Sequence, residues 1–190
     1  LIRAEAAVLR GNVDEALALL GQDASSAAER VRAAALSVKG DTAGAFAALQ
    51  RGAAAGGDAL LLRDYARFLI TAQDLDAASR QVEALSELDA GAFDASLIGA
   101  DIAVRRGKFA VAHAILEQMA EKYPRVPGPW IARANAFDLQ GKVDDALEES
   151  FAGAGRAGRH RFPDRCRANH SIYRAPAGIS PCGKHARGLC

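Results

Sequence analysis

Apolar side chains recur along this chain at three- and four-residue intervals, as in the stretches 61–70, 97–106, 76–85 and 111–122. That period places them on one face of a helix. Short polar phrases separate these stretches, at 11–16, 40–45, 73–78, 107–112 and 141–146, and their first residues stand 29, 33, 34 and 34 positions apart. Five residues after each start stands an alanine: Ala16, Ala45, Ala78, Ala112 and Ala146. Seven residues before each start stands another: Ala4, Ala33, Ala66, Ala100 and Ala134. A helix therefore enters each phrase and another leaves it, with a small side chain at one fixed position on each. Leu20, Leu49, Val82 and Leu116 share a third register on the second helices, where Ser150 stands in the last unit.

The turn residues fit this reading. Gly11, Gly40, Gly107 and Gly141 open four of the phrases, and glycine suits a helix C-terminus that needs positive φ. Gln73 opens the remaining one, so that turn holds a residue with a higher conformational cost. Asn12, Asp41 and Asp74 follow directly and are expected to accept hydrogen bonds from the free N–H groups of the next helix. Facing alanines let the two helices approach to the low end of the roughly 8–10 Å range of interaxial distances.

These residues resemble the tetratricopeptide repeat, a helix pair with a period near 34 residues. Trp130, eleven residues before Gly141, stands where that family carries an early aromatic, and Pro124, seventeen after Gly107, stands where it closes a repeat. Arg133 departs from the pattern, occupying a position that favours leucine there. The resemblance implies an all-α, right-handed solenoid of about five antiparallel helix pairs over residues 1–150. The segments 52–57 and 123–129 are read as connections between pairs. An alanine-rich helical bundle is the bland alternative, but a bundle needs no fixed period.

Such an array implies a protein-interaction scaffold that binds a peptide or protein on a concave face lined by the first helices. Carrying the groove register across, the inward candidates are Arg30, Arg63, Arg67, Asp101, Arg105, Asn135 and Asp138. Arg63 and Arg67 lie one turn apart. With Arg30 and Arg105 they predict a basic strip suited to a carboxylate, in an acidic segment or at a chain end; the alternative is ordinary solvated charge. Of the Lys/Asn set with which some members of the family clamp a terminal carboxylate, only Asn135 is matched.

Composition changes this picture at one end only. Residues 1–150 carry 16 Lys and Arg against 22 Asp and Glu, whereas residues 151–190 carry 8 against the single Asp164. The cysteines Cys166, Cys182 and Cys190, and the histidines His160, His170 and His185, all lie in that second stretch, and their spacings fit no zinc template. The periodicity stops in mid-helix at about Phe151, and Gly153, Gly155 and Gly158 follow. Two readings stand for the irregular tail. One is a disordered basic segment able to bind acidic surfaces or nucleic acid. The other is non-native sequence from a shifted reading frame, and this is preferred. In that case more repeats or a catalytic domain are expected downstream, and the alternative to a stand-alone scaffold is the partner- or substrate-docking part of a larger enzyme whose catalytic domain is missing. The start at Leu1 is read as a lost or processed N-terminus, which leaves cytoplasm and bacterial periplasm both open.

Chemistry is sparse. The body carries no HExxH, GxSxG, Walker-type or CxxC motif. No catalysis, cofactor, metal or small-molecule substrate is expected. No run of about 18 apolar residues offers a membrane span. His113, between Ala112 and Ala114, reads as structural or exposed, Trp130 as a packing anchor, and Asp144, Asp145, Glu148 and Glu149 as a solvated helix face.

Overall fold

The computed structural model describes residues 1–156 and contains, among them, ten α-helices joined by short turns. They form five pairs: α1 (Ile2–Leu9) with α2 (Val13–Leu20), α3 (Ser26–Lys39) with α4 (Thr42–Ala54), α5 (Ala59–Thr71) with α6 (Leu75–Ser86), α7 (Ala92–Arg105) with α8 (Phe109–Lys122), and α9 (Pro127–Leu139) with α10 (Val143–Arg156). A single 3-10 turn, Asp89–Gly91, precedes α7. No described helix is long and apolar enough to cross a membrane.

The helices begin and end where the turn chemistry allows. Asp41 and Asp74 accept from the backbone N–H groups of Gly44 and Ala77 at 2.8 and 2.9 Å, and Ser25 and Asp58 cap α3 and α5 in the same way. Asn12 does not take the capping role the sequence suggests. Its side-chain amide donates to Glu15 at 3.1 Å, so a nearby carboxylate outcompetes the helix end for it. Gln73 adopts φ 64°, the only positive value outside glycine among the described residues. Its peptide is held from both sides, since Gln73 N–H donates to Ile70 and Asp74 N–H reaches back to Leu69.

The alanine registers form the spine of the packing. Ala4, Ala66 and Ala100 on the first helices, and Ala16, Ala45, Ala78 and Ala112 on the second, are completely inaccessible to solvent. Leu20, Leu49 and Leu116 are buried beside them, and Val82 is half-buried. Ala146, at the same register in α10, is only partly covered. In the earlier pairs the next first helix covers that position, and among the described residues nothing follows α10.

The helical period continues further than the glycines suggest. α10 runs to Arg156 through Gly153 and Gly155. Each glycine costs a helix about 1 kcal/mol relative to alanine, too little to stop one whose Gly153 is buried. Ser150 adds a bond to the Ala146 carbonyl at 2.9 Å. The cysteines and histidines of the tail, and both readings of its origin, lie outside the described residues.

Each first helix touches the first helix of the next pair, from α1 to α9, whereas among the described residues no second helix approaches another second helix. The stack therefore bends toward its first helices, and these line the inner surface.

Candidate functional site

On that inner surface α3, α5 and α7 bring Arg30, Arg63 and Arg67 together, and the sequence-predicted arginines do not stand alone. Arg30 binds Glu5 of α1 and faces Asp64 of α5 at 3.8 Å. Arg63 donates through Nε to Asp64 at 3.0 Å and faces Asp94 of α7 at 3.9 Å. Among the described residues Arg67 has one charge contact, to Asp94 at 3.9 Å, and its side chain is 53% exposed. Opposite charges thus face one another across four successive first helices, α1, α3, α5 and α7. Arg105 continues this pairing within α7, its Nε lying 3.1 and 3.2 Å from the two carboxylate oxygens of Asp101. Asn135 and Asp138 are exposed on α9 and stay apart from the arginine cluster, without a side-chain partner among the described residues.

Sequence reading missed Glu5, Asp64 and Asp94. One signal was present: Glu5 stands six residues before its turn, the register also held by Arg67, Asp101 and Asn135. Pair two carries Ala34 at that register. Beside it, α3, α4 and α5 line an open groove of about 590 Å³, with Ala33, Ala34, Ser37, Leu49 and Phe68 among its lining and Arg30, Asp64 and Arg67 at its rim.

Below this surface lies a second charged cluster. Glu29 is 3% exposed and is bound by Arg32 and Arg51, the latter at 2.9 Å. Arg32 also donates to the Gly21 and Asp23 carbonyls at 3.0 and 3.1 Å. The buried carboxylate is therefore compensated, as a buried charge requires, and the network ties the first connection to pair two. Asp23 itself is held below the usual carboxylate range, chiefly because the Ser25 backbone N–H donates to it.

The last pair shows both a residue that fits the repeat pattern and one that departs from it, each with its partners. Trp130 is buried and donates to the Pro124 carbonyl at 3.3 Å. Arg133 lies between Glu117 and Glu149, each at 3.6 Å, with Phe137 beneath its guanidinium. Glu149 is accordingly half-buried and paired, and of the four carboxylates predicted as a solvated face only Asp144, Asp145 and Glu148 are exposed.

His113 of α8 stacks on Phe137 of α9 with ring centres 4.0 Å apart, and its Nε2 lies 2.6 Å from the Gln140 side-chain amide. Burial, then the neighbouring Arg133 and Lys142, lower its pKa from the ordinary 6.5, against weaker opposing effects of Asp145 and Glu117. A lowered folded pKa means that the unfolded chain takes up the proton first as pH falls. This contribution to stability is full above pH 6.5 and is lost progressively below it, down through the folded pKa. Thermal melts at falling pH should therefore show a decline in Tm that begins near that point, before the carboxylates titrate. His113→Gln should remove that early decline; an unchanged profile would refute the assignment.

The architecture is that of tetratricopeptide-repeat proteins. A Parabacteroides merdae protein of that class superposes with a TM-score of 0.70 at 19% identity, over 80% of this chain and 62% of its own length. PilF of Pseudomonas aeruginosa superposes with a TM-score of 0.67 at 16% identity, over 83% of this chain and 74% of its own. YrrB, described as a tetratricopeptide-repeat protein with an unusual peptide-binding site, gives 0.62 at 15% identity, over 89% and 88%. This chain thus spans less than two thirds of the Parabacteroides protein. No family model matches the sequence, and no curated protein does.

Proposed function

We propose that the chain is a tetratricopeptide-repeat scaffold whose inner, first-helix face binds an extended peptide or protein segment. The observation that carries this reading is the continuous face from α1 to α9, on which charged side chains of the first helices remain half-exposed and alternate in sign. Alternating charge at fixed spacing selects a partner by register, since like charges in juxtaposition cost several kcal/mol. The peptide-binding site of YrrB, which shares this fold, supports it by analogy.

The test is selection of a displayed peptide library against the chain, followed by amide chemical-shift mapping with an enriched peptide. Shifts gathered on first-helix residues such as Arg67, Asp101 and Asn135 support the proposal. For such a peptide, replacing Arg63 and Arg67 together by alanine should weaken binding by about tenfold or more. Shifts gathered on the second helices, or no enrichment, overturn it.

A further inference from the structure

The inner face is not uniform, and its irregularity specifies what it holds. Six residues before each turn stand Glu5, Ala34, Arg67, Asp101 and Asn135; three before it stand Val8, Ser37, Ile70, Val104 and Asp138. Pair two alone has a small side chain at both positions. The missing bulk is the groove between α3 and α5. Its wall is Phe68, half-buried and stacked on Phe46 at 6.0 Å, and its floor includes Ala33 and Leu49, both buried. At about 590 Å³ it falls within the roughly 300–1,000 Å³ typical of ligand sites.

The rim is not neutral in its capacity to bind. Arg30 is occupied by Glu5 and Asp64. Arg67 makes no side-chain hydrogen bond among the described residues and meets only Asp94, at 3.9 Å. A guanidinium has five N–H donors in a planar fork that matches a carboxylate. Arg67 therefore has unused donors directly above an apolar recess.

Building on the proposed peptide-binding role of this face, we infer that the α3–α5 groove is its anchor site, taking one large apolar side chain of a peptide while Arg67 pairs with a neighbouring carboxylate. The apolar side chain displaces water from Ala33, Leu49 and Phe68, and the carboxylate sets its direction along the face. Pair two supplies the recess and pair three the charge, so the anchor reads across a repeat boundary.

Ala34 provides the test because it is exposed, so a larger residue there fills the groove without disturbing the core. The probe is an array of glycine–serine peptides in which one phenylalanine and one glutamate are moved independently. The full chain should bind members carrying both residues close together and lose about tenfold or more in affinity when either is absent. Ala34→Trp should cost a similar factor while leaving the thermal melt unchanged, and Arg67→Gln should abolish only the preference for glutamate. If Ala34→Trp binds as well as the parent while Asn135→Ala or Asp138→Ala weakens binding, the anchor site is wrong and the inner-face reading survives. If binding ignores the phenylalanine, the anchor site is likewise wrong. If no member binds while a library-selected peptide still does, the anchor site is wrong and the inner-face reading survives; if neither binds, both readings fall.

Discussion

Leu61→Ala should lower the unfolding free energy by about 3–5 kcal/mol, near the upper end for a buried leucine. Leu61 is fully inaccessible and sits where α3, α4 and α5 meet. The site cannot collapse easily onto the vacated space, because the residue opposite is Gly52, which has no side chain to move in. A β-carbon built on Gly52 would fall 2.1 Å from Leu61 Cδ1 and 3.0 Å from Glu29 Cβ. Gly52→Ala alone should therefore destabilise, its overpacking cost of about 1–3 kcal/mol exceeding the gain of up to about 1 kcal/mol in helix propensity. The two changes are complementary in volume. Combined, they should cost less than the sum of the single variants by about 1 kcal/mol or more. Urea denaturation followed by circular dichroism measures all three, and strict additivity would show that the two residues do not share the space described.

Gly91→Ala is the second large effect, with an expected loss of about 2–3 kcal/mol and a fall in Tm of roughly 5–10 °C. Its φ of −96° suits any residue, so backbone strain is not the cause. The cause is space: an added β-carbon would lie 2.2 Å from the Leu85 carbonyl oxygen and 2.5 Å from Leu85 Cδ1. A side chain can turn aside, whereas the carbonyl at the end of α6 cannot move without shifting the helix. The control is in the same helix that Gly91 leads into. At Gly99 the new carbon would meet nothing nearer than Val82 Cγ1 at 3.8 Å, so Gly99→Ala should be neutral or stabilising by up to about 1 kcal/mol. Equal behaviour of the two variants in thermal melts would defeat this explanation.

The repeat was legible in the sequence because its signals are local. A glycine with positive φ, an aspartate directly after it and an alanine at a fixed offset each act within one turn of helix, so Gly40, Asp41 and Ala45 can be read together. Gln73 was legible for the same reason, since a residue in glycine's place must adopt glycine's backbone. Asn12 was misread because the choice between capping a helix and meeting Glu15 depends on small energy differences. The partners on the inner face were out of reach for a different reason. Whether Asp94 meets Arg63 depends on how far α7 is displaced and rotated relative to α5, which no single helix encodes. The groove beside Ala34 lay between these extremes. Its two small residues were visible, but their meaning required knowing which register faces inward.

The contact between consecutive first helices, with none between consecutive second helices among the described residues, has a mechanical consequence. The inner row is a continuous stack of direct contacts, while each outer helix is tied to the next pair only through that pair's first helix. Bending the array therefore opens or narrows the outer spacing before it disturbs the inner one. On this geometry the inner edge is expected to be the stiffer one, so that spacing along it changes less than spacing along the outer edge when the array flexes.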